Sequence, residues 1–292
     1  MKPRLLLLPA ASLCLSLAAP AATITYRNLV LADNPLVYYE FDETSGTTAA
    51  NSAATGATYT GTFNTSGGSI TVGQSSFAQG GTAYNFGGGF VGSASALTSS
   101  LSEWTVEAWV NYDSAKNSSS NFLSNDQGGW NDDVLFGIGA EDGTQGVGPG
   151  QVGFVHQGNP GEIRETVAST ISSGQWYHVV MTGSETAGAL QLYVNGLLVD
   201  SNTDLANGAT FNGADGFGTA AHLTVGAARA DSADGGYRPY DGLLDELAIY
   251  GSVLDSTTIS DRYAAGIASI PEPGSLALLS LGCGLLTLRR RR

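Results

Sequence analysis

Leu190-Gln191-Leu192-Tyr193-Val194-Asn195-Gly196-Leu197-Leu198-Val199-Asp200 is the stretch that decides the fold class. Leu190, Leu192 and Val194 alternate with Gln191, Tyr193 and Asn195, the period-two pattern of a half-buried strand. Asn195-Gly196 follows at once. Both residues tolerate positive φ, so the chain turns back tightly and 197–200 forms the return strand.

Working outward, the same grammar recurs. Residues 175–182 pair with 189–195. Residues 151–157 and 163–171 read as neighbouring strands, and 117–150 as a strand pair broken by acidic, Gly-rich loops. Residues 104–112 form a strong strand bounded by Asp113. Upstream, 36–42 is the first core strand, with Val37, Tyr39 and Phe41 on one face and Tyr38, Glu40 and Asp42 on the other. Weaker strands lie near 58–64 and 69–72, and another at 83–86. Residues 222–228 and 242–250 are the last two. One helix is expected, capped by Asp255 or Ser256, with Ile259 and Tyr263 on one face and Gly266 at its end. The glycine count of 40 and the turn clusters between strands fit an all-β chain of one domain.

Both ends carry processing signals. Lys2 and Arg4 precede an apolar stretch at 5–17, and Ala19-Pro20-Ala21 gives a small-residue cleavage pattern. That is a secretory signal peptide, cut after Ala21 or Ala22. Cys14 follows the bulky Leu13, which does not suit a lipoprotein anchor. At the other end, Ile270-Pro271-Glu272-Pro273-Gly274 leads into an apolar run at 275–288, and Arg289, Arg290, Arg291 and Arg292 end the chain. The run is shorter than the roughly 20 residues of a stable spanning helix. It suits a transient membrane anchor, with the arginines held on the cytoplasmic side. This tripartite tail resembles the PEP-CTERM signal of Gram-negative, exopolysaccharide-producing bacteria. The resemblance implies an exosortase-type membrane protease as partner, and the cell envelope or extracellular matrix as destination. The expected division is a signal peptide at 1–22, a domain at 23–267 and a sorting tail at 268–292.

Both cysteines, Cys14 and Cys283, fall in these end segments, so the domain has no disulfide and relies on its core. Between residues 23 and 267 stand six Lys and Arg against 25 Asp and Glu, a net charge of −19. A surface this acidic argues against nucleic acid and anionic lipid as partners, and suits cations.

Five segments, in order, are similar to the landmarks of the LamG-like jelly roll. These are Val37-Tyr38-Tyr39-Glu40-Phe41-Asp42-Glu43-Thr44-Ser45-Gly46, Trp104-Thr105-Val106-Glu107-Ala108-Trp109-Val110, Gly174-Gln175-Trp176-Tyr177-His178-Val179-Val180, the 190–196 hairpin, and Asp241-Gly242-Leu243-Leu244-Asp245-Glu246-Leu247-Ala248-Ile249-Tyr250. The resemblance is to the bacterial laminin-G type 3 branch of the concanavalin A-like lectin/glucanase superfamily, over about residues 34–266. It implies two antiparallel sheets packed face to face, and a non-catalytic module that binds glycan or protein or stands as a passive surface unit.

Alternation places Asp245 on one face with Leu243, Leu247 and Ile249, where a charge must be paired, hydrogen-bonded or metal-bound. Asp42 ends the opening strand. If the two converge, they would make a calcium site of the kind seen in some related jelly rolls. The other reading is an Asp accepting loop amide hydrogen bonds, and Asn51, where the family often has Asp, weakens the calcium case. Trp130 and Asp132, in a polar loop, and Tyr237 and Tyr240, in another, suit sugar binding, with rings stacking on CH faces and acids accepting from hydroxyls. The other reading folds those rings over the sheet edge. The Glu-x-Asp-x-Glu run of the fold's glycosidases is absent, although Glu40 and Asp42, and Glu103 and Glu107, share faces. His156, His178 and His222 lack metal-ligand spacing, and His178 reads as a core histidine. The leading expectation is an exported glycan- or matrix-binding protein and not an enzyme. A structural or adhesive matrix protein without a small ligand is the alternative, followed by a glycosidase.

Overall fold

The computed structural model describes residues 25–77, 81–97, 101–113, 120–124, 133–139, 150–158, 162–184, 186–203, 222–228 and 238–268. The signal peptide, the tail motif and its arginines, Trp130, Asp132 and Tyr237 lie outside the described residues. In chain order the strands are β1 (Val37–Tyr39), β2 (Thr48–Ala49), β3 (Gly61–Asn64), β4 (Ser69–Ser75), β5 (Thr82–Gly87), β6 (Phe90–Ala96), β7 (Glu103–Tyr112) and β8 (Ser120–Ser124). They continue as β9 (Asp133–Ile138), β10 (Gln151–Gly158), β11 (Glu162–Thr170), β12 (Tyr177–Ser184), β13 (Ala189–Val194), β14 (Leu197–Asn202), β15 (His222–Val225) and β16 (Asp241–Tyr250). Helices α1 (Tyr26–Ala32) and α2 (Ser256–Ala268) flank them.

The strands form two antiparallel sheets in a jelly-roll sandwich, as expected. The first has the order β14-β13-β12-β7-β16-β5-β4, with β1 also on β16, and the second β11-β10-β9-β8-β15-β6-β3-β2. Val37, Tyr39, Phe41, Trp104, Val106, Val110, Phe122, Phe136, Leu192, Leu247 and Ile249 fill the space between them. The 190–196 hairpin is present, with Asn195 at φ 52° and Gly196 at φ 77°.

The outer face of the first sheet is covered over part of its area by both helices. Tyr26, Val30, Tyr38, Trp109, Val180, Tyr193, Tyr250, Leu254 and Ile259 form this second core. Strand β7 is therefore buried on both faces, Trp104 inward and Trp109 under the helices. Thr25 caps α1 by accepting from the Asn28 amide at 3.3 Å, and Asp255 caps α2 by accepting from Thr258 at 2.8 Å. Helix α1 was not expected from the sequence. Nor does Gly266 end α2: the helix runs two residues further, to Ala268. A Cβ at Gly266 would come within 2.4 Å of the Trp109 ring, so the glycine serves close helix-to-sheet packing.

A buried charge cluster locks the helices down. Arg262 on α2 donates to Glu107 on β7, to the Tyr250 hydroxyl on β16, and to Asp33 beyond α1 at 2.5 Å. Burial alone would push the Glu107 carboxyl up; Arg262, His178 and Tyr250 together reverse this and hold it below the usual carboxylate range. His178 Nε2 sits 3.4 Å from Glu107 and 3.3 Å from the Tyr26 hydroxyl, so it is the core histidine expected.

Candidate functional site

Strand β16 is the element on which the site is built. Its N-terminal half pairs with β5, from Asp241 to Leu244. Its C-terminal half pairs with β1, from Leu247 to Ile249. Between the halves the register against β7 shifts, and Glu246 adopts φ 52°. This is a β-bulge. It corrects the expectation that Asp245 shares a face with Leu247 and Ile249. The extra residue re-phases the strand, so Leu247 and Ile249 enter the inter-sheet core while Leu243 stays half-exposed on the outer face with Asp245.

The bulge brings the two expected carboxylates together. Asp245 is buried and accepts from the Ser76 hydroxyl. Burial pushes its carboxyl well above the usual range, and the neighbouring Glu246 and Asp42 push it further. Glu246 accepts from the Tyr38 hydroxyl, yet burial and the nearby acids still raise it to about 8. Asp42 accepts the Thr82 amide at 2.7 Å, and Gly81 lies over it and Ser76. A buried carboxyl whose nearest charges are other carboxyls is the donor chemistry a hard cation takes. Asp42 and Asp245 are the two side chains that a calcium ion would take here. Among the described residues, no group of three or more His, Cys, Asp or Glu side chains is placed to hold a metal by side chains alone. Asn51 is engaged elsewhere: its oxygen accepts from Tyr38 and Ala53, and its nitrogen donates to Thr55 and Gly56. An Asp there could not donate those last two bonds.

One step along the same strands, beyond the helices, the outer face is open. A groove of about 410 Å³ is lined by Asn85, Asn111, Tyr112, Asp113, Ser173, Gly174, Asp241, Gly242 and Leu243. Leu243 pairs with Asn85 on one side and Asn111 on the other, so the three form a row across β5, β16 and β7. All three are half-exposed. Gly242 keeps the floor low, because a Cβ there would meet the Asn111 carbonyl at 2.3 Å. The groove combines one leucine between two carboxamides, a tyrosine, a serine and two rim carboxylates, so it offers hydrogen-bond donors and acceptors around a small apolar spot.

Of the expected ligand-binding residues, Trp130, Asp132 and Tyr237 lie outside the described residues. Tyr240 is corrected. Its ring is fully buried against Phe86 and Phe122, and its hydroxyl donates to the Leu243 carbonyl at 3.2 Å. It anchors the strand under the groove and offers no surface for a sugar. The sequence reading missed Asn85 and Asn111. The signal was a lone carboxamide between aromatic or branched residues, in Tyr84-Asn85-Phe86 and Val110-Asn111-Tyr112. The Glu103–Glu107 pair is split between two roles, with Glu103 accepting from Ser184 at 2.8 Å and Glu107 buried beneath Arg262. Glu40 is paired with Arg27 at 2.8 Å.

Residues 85–260 match Laminin_G_3, a family of the concanavalin A-like lectin/glucanases superfamily. The chain belongs to that family. Among solved structures it is similar to domain 4 of AbnA, a GH43 extracellular arabinanase from Geobacillus stearothermophilus, in complex with arabinotriose. Identity there is 22%, the TM-score is 0.55, and 79% of this chain and 98% of that one are covered. It is also similar to the binding domain of Paraclostridial Mosquitocidal Protein 1, at 12% identity and TM-score 0.55, covering 80% of this chain and 52% of the other. The receptor binding domain of botulinum neurotoxin D matches at 11% and 0.55, covering 80% and 53%. The chain spans about half the length of these two toxin domains. At these identities the Laminin_G_3 chain shares their fold. No curated protein matches it significantly.

Proposed function

We propose that this Laminin_G_3 protein is exported and binds glycan, without catalysis, through the open half of the first sheet's outer face. The observation that carries the reading is the Asn85–Leu243–Asn111 row at the floor of the groove. Half-exposed carboxamides both donate and accept, as sugar hydroxyls do, and a leucine between them can take a CH face. The arabinotriose bound to the AbnA domain supports the same ligand class. The engaged state of Glu40, Glu103 and Glu107 supports binding without hydrolysis. Trp130, Asp132 and Tyr237 remain candidates for further contacts from the loops.

Calcium on Asp42 and Asp245 belongs to this reading as a stiffener of the β16 bulge, two residues from Leu243. So do export by residues 1–22, recognition of Pro271-Glu272-Pro273-Gly274 by an exosortase-type protease, and delivery to a Gram-negative envelope or matrix. One observation favours the adhesive alternative. Leu197 and Leu198, successive residues of the edge strand β14, are 69% and 49% exposed. Retention of the protein on matrix polysaccharides, with release by soluble oligosaccharide and no new reducing ends, tests the proposal. Retention that no sugar competes would favour adhesion, and chain cleavage would favour a glycosidase.

A further inference from the structure

The groove's chemistry goes further than "glycan". We infer that it takes a neutral polysaccharide chain lying across the strands, and that it excludes uronic or sulfated chains. The inference rests on the glycan-binding reading above.

Direction comes from the lining. Asn85, Leu243 and Asn111 stand on three successive strands, and Ser173 and Gly174 continue the row past β7. Strands lie about 4.8 Å apart, so the two asparagines are about 10 Å apart across the floor. That length holds consecutive sugar units of a chain better than one ring. Gly174 closes the row without a wall: a Cβ there would meet nothing within 4 Å. A chain can therefore continue out of the groove, which suits an internal stretch of a polymer.

Selectivity comes from charge and hydrogen-bonding capacity. Neither the Asn85 nor the Asn111 amide is taken up by a hydrogen bond to another described residue. Each offers two donors and one acceptor oxygen to hydroxyls. A sugar carboxylate or sulfate would call for a guanidinium or an ammonium group. The described lining holds no Lys, Arg or His, and Asp113 and Asp241 stand at its rim. The backbone of Asp113 donates to the Asp241 carbonyl at 2.9 Å, so the two rim residues are adjacent. With a net charge of −19 over 23–267, approach of a polyanion is opposed at long range as well.

The test is affinity electrophoresis of the full chain through gels carrying neutral β-glucan, arabinan or galactan, or carrying polygalacturonate or alginate, at low and high salt. The expected result is retardation by at least one neutral polymer, independent of salt. Asn111→Ala and Asn85→Ala should each weaken it about tenfold, the share of one or two hydrogen bonds. Asn111→Asp, close in shape, should weaken it too, which keeps the test independent of any packing defect. Retardation by polyuronate or alginate, alone or beside a neutral polymer, overturns the inference and leaves glycan binding intact. Neutral binding that all three variants leave unchanged also overturns it, by removing the groove as the site. Retardation by none of the polymers removes the glycan-binding reading itself.

Discussion

Arg262→Met is the substitution whose cost the structure defines most fully. The guanidinium is 1% exposed, and Glu107 opposite it is fully buried. Arg262 is also the residue through which α2 is tied to β7, β16 and the end of α1. Methionine fills much of the volume and leaves Glu107 buried without its counter-charge. Removing one partner of a buried pair costs about 3–5 kcal/mol, because the other charge is stranded. For a domain of this size each kcal/mol moves the melting temperature by about 2–4 °C, so a fall of about 6–20 °C is expected. Calorimetry at neutral pH measures it, and hydrogen exchange should show the amides of α1 and α2 losing protection ahead of the strands. Adding Glu107→Gln should recover a large part of the loss, since no charge then stays buried alone. Acid provides a second arm. Glu107 is held below its ordinary value, so its contribution is present above about 4.5 in the wild type and lost as pH falls through the lowered pKa. A fall of under about 2 °C in Arg262→Met, or a double variant no better than the single, would refute the clamp.

The other predictions follow from the carboxylates, the second core and the tail. In chelator, stability should fall as pH rises from about 4.5 towards 8, because folded Glu246 holds its proton more tightly than unfolded Glu246, by up to about 1.4 kcal/mol per pH unit. Glu246→Gln should flatten that slope; an unchanged slope would place the titration elsewhere. Calcium at 100 times its dissociation constant should add about 2.7 kcal/mol and raise the melting temperature, and Asp245→Asn should abolish the response. Equal melting in calcium and chelator would leave Asp245 as a hydrogen-bonded structural acid. Trp109→Ala should cost about 3–5 kcal/mol, since the ring is 2% exposed and stacked on Phe77 at 3.9 Å. Replacing Pro271, Glu272 and Pro273 with alanines should block processing of the tail in the native host, and normal size and location of the variant would exclude a sorting role.

The sandwich was legible because its strands alternate cleanly and its hairpin carries Asn195-Gly196. What escaped was whatever depends on local phase or on topology. Strand β6, Phe-Val-Gly-Ser-Ala-Ser-Ala, has small residues where a pattern needs large ones. Helix α1 has the single buried pair Tyr26 and Val30 to mark its inner stripe. The bulge at Glu246 inverted the faces assigned to Leu247 and Ile249, since alternation assumes an unbroken register. The nearness of Asp42 to Asp245 entered the sequence reading only as a condition; the pairing of β1 with β16 supplies it. The row Asn85–Leu243–Asn111 was not legible, because its members are 26 and 158 residues apart in sequence and only the β5-β16-β7 order aligns them.

The same two strands, β7 and β16, carry the clamp, the carboxylates and the groove in succession. Glu107, Trp109 and Asn111 follow one another at alternate positions along one face of β7. Along β16 the same face carries Tyr250 and Ala248 and, past the bulge, Asp245 and Leu243. The helices end their cover at the level of Trp109 and His178, and polar side chains begin one pair further on. A Cβ on Gly242, at φ 146°, would meet the Asn111 carbonyl at 2.3 Å, so glycine alone suits this position between the paired strands. Holding β16 that close to β7 fixes Leu243 and Asn111 relative to each other from below. The Arg262 clamp and the carboxylate junction fix the same strands from the side. The strand residues of the groove, Asn85, Asn111 and Leu243, therefore rest on rigid elements.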